Sequence, residues 1–321
     1  MALGIAYALA AGLMWGLVFV GPLMLPDYPP ALQSVGRYLA FGLIAIGIAW
    51  FDRTGLRQLS GADWREAFKL SAVGNLLYYL CLATAIQRAG GPLPTMIIGT
   101  LPVMIAVVAN WRSGQQQLPW AKLLPSLLLI GGGIACVNQV ELVKLSDGRQ
   151  SAEELERYVS GALFAVGALI CWTWYPIRNG DWLRRHANRS PRAWATAQGL
   201  ATLPLALGGY ALLWAIMAWS EGSASDSAAF AMPFGPRPAV FIGLMAAIGL
   251  FASWLGTLCW NEASQRLPTA LAGQLIVFET LSALAYAFWW KGEWPSRLIL
   301  LGIALLIAGV VIGVRAFQGQ K

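Results

Sequence analysis

Charged residues are scarce in this sequence. They account for 12% of the 321 residues, whereas hydrophobic residues account for 58%. Soluble domains contain about 25% charged and about 45–50% apolar residues. A soluble fold cannot bury an apolar excess of this size, so the composition excludes the soluble classes and predicts an integral membrane protein.

Residues for metal-dependent or nucleophilic chemistry are also few. His186 is the only histidine, and the sequence contains no G-x-S-x-G or H-E-x-x-H motif. The four cysteines lie inside apolar runs without C-x-x-C spacing: Cys81, Cys136, Cys171 and Cys259. We interpret them as small packing residues. The sequence therefore predicts no metal site and no cofactor, and a membrane-embedded enzyme is retained only as an alternative.

A nucleotide-binding loop is absent too. No G-x-x-x-x-G-K-[ST] motif occurs, which excludes direct use of ATP. The formal charge of +7 does not predict a nucleic-acid partner, because the Lys and Arg residues fall in short segments between apolar runs. With the N-terminus inside, 14 of them face the cytoplasm and seven face outward. This asymmetry predicts a multi-pass protein of the bacterial inner membrane with both termini in the cytoplasm.

Apolar runs of about 20 residues are long enough to cross the hydrocarbon core of a bilayer. Ten such runs fit this sequence, at 3–22, 31–50, 67–87, 92–111, 121–139, 159–176, 193–217, 239–260, 267–290 and 296–315. The first has no charged n-region, so we interpret it as a retained span and not as a cleaved signal. We predict an all-α membrane protein of ten transmembrane helices. Residues 1–140 form one five-helix repeat, 141–158 a polar linker, and 159–321 a second repeat.

The two halves share an internal repeat. Six residues of the first half recur 178 positions later, namely Cys81, Ala85, Gln87, Arg88, Trp111 and Gly114 at Cys259, Ala263, Gln265, Arg266, Trp289 and Gly292. The spacing of Gly4 and Trp15 also recurs in Gly161 and Trp172. Because each half has an odd number of spans, the second half enters the bilayer from the opposite side. Such inverted repeats are typical of transporters that bind substrate near the midplane and work by alternating access.

This pattern resembles the drug/metabolite transporter superfamily, and within it the EamA-type exporters. The resemblance covers nearly the whole chain and includes the repeated Gly–Trp spacing and Arg37 in PPALQSVGRYLA. In the ninth span Glu279 and Glu293 are 14 positions apart, as in that family, but Thr280 stands where the family has proline. Glu293 lies at the end of the span, where we expect an interfacial cap or ion pair. The resemblance implies a ten-helix carrier with a central cavity, closest to the branch that exports aromatic and other neutral amino acids.

The same resemblance leaves alternatives open. A carrier of nucleotide sugars or other phosphorylated solutes belongs to the same superfamily. A phosphate group calls for several Lys or Arg side chains in the cavity, whereas Arg37 is the only one that lies away from the ends of a predicted span. A non-transporting scaffold is the alternative from another class, but it gives the internal repeat no purpose. We expect a monomer that takes a small-molecule substrate, lies in the lipid bilayer and binds no nucleic acid.

Eight residues within the spans are candidates for substrate binding: Trp15, Asn75, Tyr78, Tyr79, Trp172, Tyr175, Trp254 and Glu279. Asn75, Tyr78 and Tyr79 share one face of the third span, where they form either the wall of a wet cavity or an interhelical hydrogen-bond seam. The repeat offset brings Trp254 to the equivalent part of the eighth span. Trp15 and Trp172, which match in the repeat, either stack on a substrate or fill space.

Glu279 is a single carboxylate in the middle of a long apolar run, a position where a charge is costly. It either carries a proton, pairs with a substrate ammonium or pairs with a protein group. Gln198 and Gln274 are candidate protein partners. Arg37 is only six residues into its span, so we expect it to lie too near the outer surface to reach Glu279.

Overall fold

The structure is a computed structural model that describes residues 1–90, 92–113, 120–137, 139, 151–221, 230, 232–292 and 294–318. Within these ranges every regular element is a helix. The first half contains α1 (Ala2–Trp15), α2 (Leu17–Met24), α3 (Pro30–Leu56), α4 (Gly61–Leu70), α5 (Tyr78–Ala89), α6 (Pro92–Ile98), α7 (Leu101–Ser113) and α8 (Trp120–Val137). The second half contains α9 (Ala152–Arg185), α10 (Pro191–Glu221), α11 (Pro238–Ile248), α12 (Gly256–Arg266), α13 (Thr269–Leu275), α14 (Val277–Lys291) and α15 (Arg297–Gln318).

Seven helical stretches in the described ranges are long and apolar enough to cross a membrane. They are Ala2–Met24, Pro30–Leu56, Gly61–Ala89, Ala152–Arg185, Pro191–Trp219, Pro238–Arg266 and Leu271–Trp290, at the places predicted for spans one to three and six to nine. Shorter apolar helices, Leu123–Cys136 and Arg297–Gly313, lie at the places of spans five and ten. The protein is thus an all-α membrane protein, as predicted, while the count of ten spans stays a prediction.

The outer faces of these helices are apolar, as lipid contact requires. Large side chains such as Leu163, Ile170 and Leu212 are mostly exposed, which a soluble surface would tolerate only singly. The four cysteines form no disulfide, and Cys81 and Cys171 are buried between helices. Their burial agrees with the interpretation that they are packing residues.

Helix α9 begins inside the segment that was predicted to be a linker. Ser151 accepts a hydrogen bond from the backbone N–H of Glu154, and the Glu154 carboxylate accepts one from the backbone N–H of Ser151. This capping box satisfies N–H groups that a helix start otherwise leaves free. Residues 152–158 are therefore the first two turns of a long helix that continues into the membrane, and residues 141–150 lie outside the described part of the chain.

Two π-helical segments interrupt the third and eighth predicted spans. The first is Ser71–Leu77, between α4 and α5, and the second is Gly249–Leu255, between α11 and α12. The segments are 178 positions apart, which is the offset of the sequence repeat. A π-helical turn is rare and frequently marks a functional site. The repeat therefore preserves an unusual backbone feature as well as residue identities.

Helix packing is symmetric between the halves. Helix α3 packs on α10, α8 on α15 and α7 on α13, so the second, fifth and fourth predicted spans of each half meet their counterparts. Helix α1 packs on α12, and α9 packs on α5, which pairs the first span of each half with the third of the other. The contact between α8 and α15 is close enough that a Cβ at Gly133 would lie 2.7 Å from the Gly302 carbonyl oxygen.

Candidate functional site

All eight predicted site residues lie in the interior where the two halves meet. Their exposure ranges from 0% for Tyr79 to 9% for Trp254. Six of them belong to one hydrophobic cluster, and the two others, Asn75 and Glu279, are buried polar residues. The two π-helical segments supply or adjoin four of the eight. The sequence pattern therefore identified a real cluster, but its members are packed against one another in a site closed to solvent.

Trp172 is the centre of the aromatic part of this site. Its ring stacks on Tyr78, with centroids 4.5 Å apart, and on Tyr175, with centroids 5.2 Å apart. The edge of Trp15 approaches it at 5.0 Å, so the two tryptophans that match in the repeat touch each other. Trp260 extends the cluster beside Trp15 at 5.1 Å. Stacked and edge-on pairs at these distances are favourable, and they form an apolar wall.

Glycines within or next to the π-helical segments let these rings approach the backbone. A Cβ at Gly74 would lie 2.2 Å from the ring of Tyr175, and one at Gly256 would lie 2.7 Å from Nε1 of Trp15. The indole of Trp15 donates a hydrogen bond of 2.9 Å to the carbonyl of Ala252, inside the second π-helical segment. The irregular backbone thus holds the aromatic cluster in place.

Besides Trp15, four predicted residues are engaged in hydrogen bonds between helices. Three of the bonds reach helix α10: Asn75 Nδ2 donates to Thr202 Oγ1 at 3.3 Å, Tyr175 Oη to Gln198 Oε1 at 2.7 Å, and Trp254 Nε1 to Thr196 Oγ1 at 3.2 Å. The hydroxyl of Tyr79 donates to the carbonyl of Val18 at 3.4 Å. For these residues the structure favours the interhelical seam over the cavity wall.

Three other predicted residues keep a polar atom without a hydrogen bond of standard geometry among the described residues. These atoms are the hydroxyl of Tyr78, Nε1 of Trp172 and Oε2 of Glu279. Buried polar atoms are nearly always hydrogen-bonded, so each exception needs an explanation. The three are neighbours, because the Trp172 ring stacks on Tyr78 and its Nε1 faces the Glu279 carboxyl group. The predicted residues thus fall into two groups, one hydrogen-bonded between helices and one with polar atoms that lack such a bond.

Arg37 corrects a prediction from the sequence. It was expected near the outer surface, but it is only 4% exposed, and its charge acts on Glu279. Its guanidinium lies over the ring of Tyr79, 4.6 Å from the centroid, and its Nε donates to Ser253 Oγ at 3.0 Å. The reason is that neighbours from both halves surround Arg37, with Tyr79 from the first half and Ser253 from the second. Arg37 is therefore buried inside the protein.

The other candidate partners of Glu279 point elsewhere. Gln198 donates to Asn179 at 3.2 Å, and Gln274 accepts a hydrogen bond from Ser126 at 2.8 Å. Neither is hydrogen-bonded to the Glu279 carboxylate, and of the groups proposed from the sequence only Arg37 is found acting on it. Glu293, the second glutamate of the ninth span, lies outside the described residues.

Two members of the site were not singled out for substrate binding in the sequence. One is Arg37, whose signal was that no other Lys or Arg lies away from the ends of a predicted span. The other is Trp260, which lies 178 positions after Leu82. Leu82 continues the helical face of Tyr78 and Tyr79, so applying the repeat offset to that position would have identified Trp260. Within the described ranges no group of three or more His, Cys, Asp or Glu residues could hold a metal ion.

Both ends of the site are covered. At the end predicted to be cytoplasmic, Asp52 pairs with Arg192 and accepts a hydrogen bond of 2.7 Å from Thr196. Trp182 and Trp194 stack there with centroids 3.5 Å apart. Glu66 and Arg178 pair at the same end, and Asp27 and Arg237 pair at the opposite one.

A helical membrane protein with repeated halves and a buried polar and aromatic centre has the architecture of a membrane transporter. Residues 2–139 match the model of the EamA-like transporter family. Inner membrane protein YtfF of Escherichia coli (strain K12) is 53% identical over 98% of this chain and 95% of that protein. The chain belongs to the EamA-type transporters of the drug/metabolite transporter superfamily. It is therefore a transporter of the inner membrane and not an enzyme, as the sequence predicted.

Two more distant relatives agree with this assignment. A probable terminal-alkyne amino-acid exporter of Streptantibioticus cattleyicolor is 24% identical over 92% of this chain and 88% of that protein. A solved crystal structure superposes with a TM-score of 0.68 and 16% identity, and the match covers 100% of both chains. The structural likeness at this identity supports the fold alone.

Proposed function

We propose that this transporter exports aromatic or other neutral amino acids from the cytoplasm. The observation that carries the proposal is the buried centre, where stacked rings adjoin polar atoms that have no hydrogen bond of standard geometry within the described part of the chain. Rings of Tyr78, Trp172 and Trp15 offer an apolar surface to a side chain, while the unsatisfied atoms offer hydrogen bonds to a polar backbone. A relative named as a probable amino-acid exporter supports the same substrate class.

The transport cycle in this proposal is alternating access between two inverted five-helix halves, with both termini in the cytoplasm. Three observations support it. The halves pair their helices symmetrically, the two π-helical segments share the repeat offset, and the site lies where the halves meet. The covered ends of the site fit a closed state from which either end opens.

A carrier of phosphorylated solutes is less well supported. A phosphate group is best bound by several cationic side chains. Arg37 is the basic residue found in the buried centre, and the paired arginines Arg178 and Arg192 lie at the predicted cytoplasmic end. One guanidinium opposite a carboxylate is a poor site for a doubly charged anion.

The experiment that tests the proposal is uptake by purified protein in proteoliposomes. The panel contains L-phenylalanine, L-tryptophan, L-leucine, L-glutamate, L-lysine and UDP-glucose, each with and without a pH gradient. We expect uptake of one or more neutral amino acids above that of empty liposomes. Uptake of UDP-glucose alone, or of none of the amino acids, would contradict the proposal. Comparing the two gradient conditions also shows whether transport is coupled to protons.

A further inference from the structure

Arg37 and Glu279 are a guanidinium and a carboxyl group buried together in the centre of the protein. They are 4% and 2% exposed, and both border the aromatic cluster, since the guanidinium lies 4.6 Å from the centroid of the Tyr79 ring and the Glu279 carboxyl group faces Trp172. No direct ion pair joins them among the described residues, and Nη1 of Arg37 and Oε2 of Glu279 both lack a hydrogen-bond partner there. An unpaired buried charge costs several kcal/mol or more. Two such groups, close but not joined, therefore suggest a ligand that completes both.

The orientation of Arg37 is set by its surroundings. Its guanidinium is positioned between the rings of Tyr38 and Tyr79, with the central carbon 4.8 Å and 4.6 Å from their centroids. Its Nε is occupied by Ser253, in the second π-helical segment, which leaves the Nη groups to face a ligand. A guanidinium held in this way presents parallel N–H donors to a carboxylate.

The position of Glu279 is set by close backbone packing. A Cβ at Gly12 of α1 would lie 3.0 Å from the backbone nitrogen of Glu279, so α1 fixes this part of α14. The carboxylate faces the indole of Trp172, whose Nε1 also lacks a standard hydrogen bond. The charged pair and the aromatic wall thus meet at Trp172.

We propose that Arg37 and Glu279 form a zwitterion clamp, in which Arg37 binds the α-carboxylate of the transported amino acid and Glu279 binds its α-ammonium. The inference rests on the proposed function and identifies which residue binds each charged group of the substrate. The hydroxyl of Tyr78 and Nε1 of Trp172 supply further donors beside the carboxylates, and the stacked rings receive the side chain. With Glu279 ionised against the substrate ammonium, the charges of the two side chains and of the zwitterion sum to zero in the bound state.

Charge neutrality also predicts which solutes the clamp rejects. An amino-acid amide is a cation without a carboxylate, so it leaves Arg37 unpaired and adds a charge. An N-acetyl amino acid is an anion without an ammonium, so it leaves Glu279 unpaired. A hydrogen bond to a charged group contributes about 1.5–3 kcal/mol, so each derivative should bind about tenfold more weakly or worse.

The first test uses the unmodified chain and needs no variant. Binding of L-phenylalanine, L-phenylalaninamide and N-acetyl-L-phenylalanine is measured by the shift in melting temperature of the purified protein. If the uptake panel selects another neutral amino acid, the amide and the N-acetyl derivative of that amino acid are used. We expect the zwitterion to bind at least about tenfold more tightly than both derivatives. Equal binding of either derivative would overturn the clamp while leaving amino-acid export intact.

The second test assigns the poles with variants. Arg37→Gln should weaken L-phenylalanine binding about tenfold but change L-phenylalaninamide binding little, because the amide has no carboxylate. Glu279→Gln should also weaken L-phenylalanine binding about tenfold, but it should change N-acetyl-L-phenylalanine binding little, because that derivative has no ammonium. Arg266→Gln and Glu262→Gln, which break a partly exposed pair on α12, are matched controls. Neither should change the ratio of L-phenylalanine affinity to the affinity of either derivative. Ratios that stay unchanged in folded Arg37→Gln and Glu279→Gln proteins would overturn the proposal. A chain that binds no amino acid at all contradicts the proposed function instead.

Discussion

At the scale of single residues, Tyr78 and Tyr79 are adjacent in sequence but have different environments. Both rings are buried, and the sequence placed both on a predicted cavity wall. The hydroxyl of Tyr79 donates to Val18, whereas the hydroxyl of Tyr78 has no hydrogen-bond partner among the described residues and lies near Glu279. Only Tyr78 therefore has a polar atom left for a substrate.

This difference predicts opposite outcomes for two matched variants. Tyr78→Phe removes a hydroxyl that is free for substrate, so uptake of a transported amino acid should fall by about three- to tenfold, the value of one hydrogen bond. Tyr79→Phe removes a hydroxyl that the protein itself uses, so uptake should stay within about twofold of the unmodified protein. Both are measured in proteoliposomes at equal protein content. A larger loss in Tyr79→Phe than in Tyr78→Phe would contradict this assignment.

The sequence predicted which residues gather at the site better than it predicted their roles. Spacing placed Asn75, Tyr78 and Tyr79 on one face, and the repeat placed Trp15 and Trp172 at equivalent positions. Whether a hydroxyl is bonded depends on neighbours more than 20 positions away, such as Val18 for Tyr79, and spacing within one span does not contain that information. The burial of Arg37 was missed for a related reason, since its hydrogen-bond partner Ser253 belongs to the second half.

At the scale of helices, the π-helical segments are the feature that the sequence did not reveal. Hydrophobic runs predicted the third and eighth spans, because burial in lipid selects apolar residues throughout a span. A π-helical turn changes the hydrogen-bond register of a few residues and leaves the composition of the span unchanged. The 178-position offset indicated that the two stretches have similar structures, but a sequence repeat does not show what that structure is.

Gly74 in the first π-helical segment gives a prediction at this scale. A Cβ at this position would lie 2.2 Å from the Tyr175 ring, so Gly74→Ala forces the ring or the helix to move. Such overpacking costs about 1–3 kcal/mol and should lower the melting temperature. Gly243→Ala in α11 is the matched control, because nothing lies within 4 Å of its added Cβ. Measured in the same detergent, equal melting temperatures for the two variants would contradict the close fit at Gly74.

At the scale of the whole molecule, the closed site depends on contacts at both ends. Pairs Asp52–Arg192 and Glu66–Arg178 join the halves at the predicted cytoplasmic end, and Asp27–Arg237 joins them at the other. Residues of each half supply one partner of every pair. Opening either end therefore requires breaking ion pairs between the halves, which is what a rocking motion of one half against the other does.

The outer pair predicts a pH dependence of stability. The hydrogen bond from Arg237 lowers the pKa of Asp27 below its usual value. A carboxyl group with a lowered folded-state pKa stabilises the fold above its unfolded pKa, and this stabilisation is lost as the pH falls through the folded-state pKa. Asp27→Asn should therefore lower the melting temperature at about pH 6, by a difference that shrinks toward about pH 3. Because the pair is well exposed, the difference should be small and should decrease with added salt.

A difference between the unmodified protein and Asp27→Asn that grew on acidification would contradict this assignment. Glu262→Gln is a matched control. Glu262 pairs with Arg266 within the same helix, so its loss removes a local helix contact and should not reproduce the effect of Asp27→Asn on the melting temperature. Comparing the melting temperatures of the two variants distinguishes the loss of a contact between the halves from the loss of an ion pair within one helix.

The central claim is that the chain carries neutral amino acids through a site that faces one side of the membrane at a time. Counterflow tests it most directly. Proteoliposomes are loaded with unlabelled L-phenylalanine, or with the neutral amino acid that the uptake panel selects, and diluted into a trace of the labelled form. We predict that label rises transiently above its equilibrium level, because a carrier exchanges internal for external substrate. Label that approaches equilibrium without an overshoot, at the rate of empty liposomes, would contradict the account.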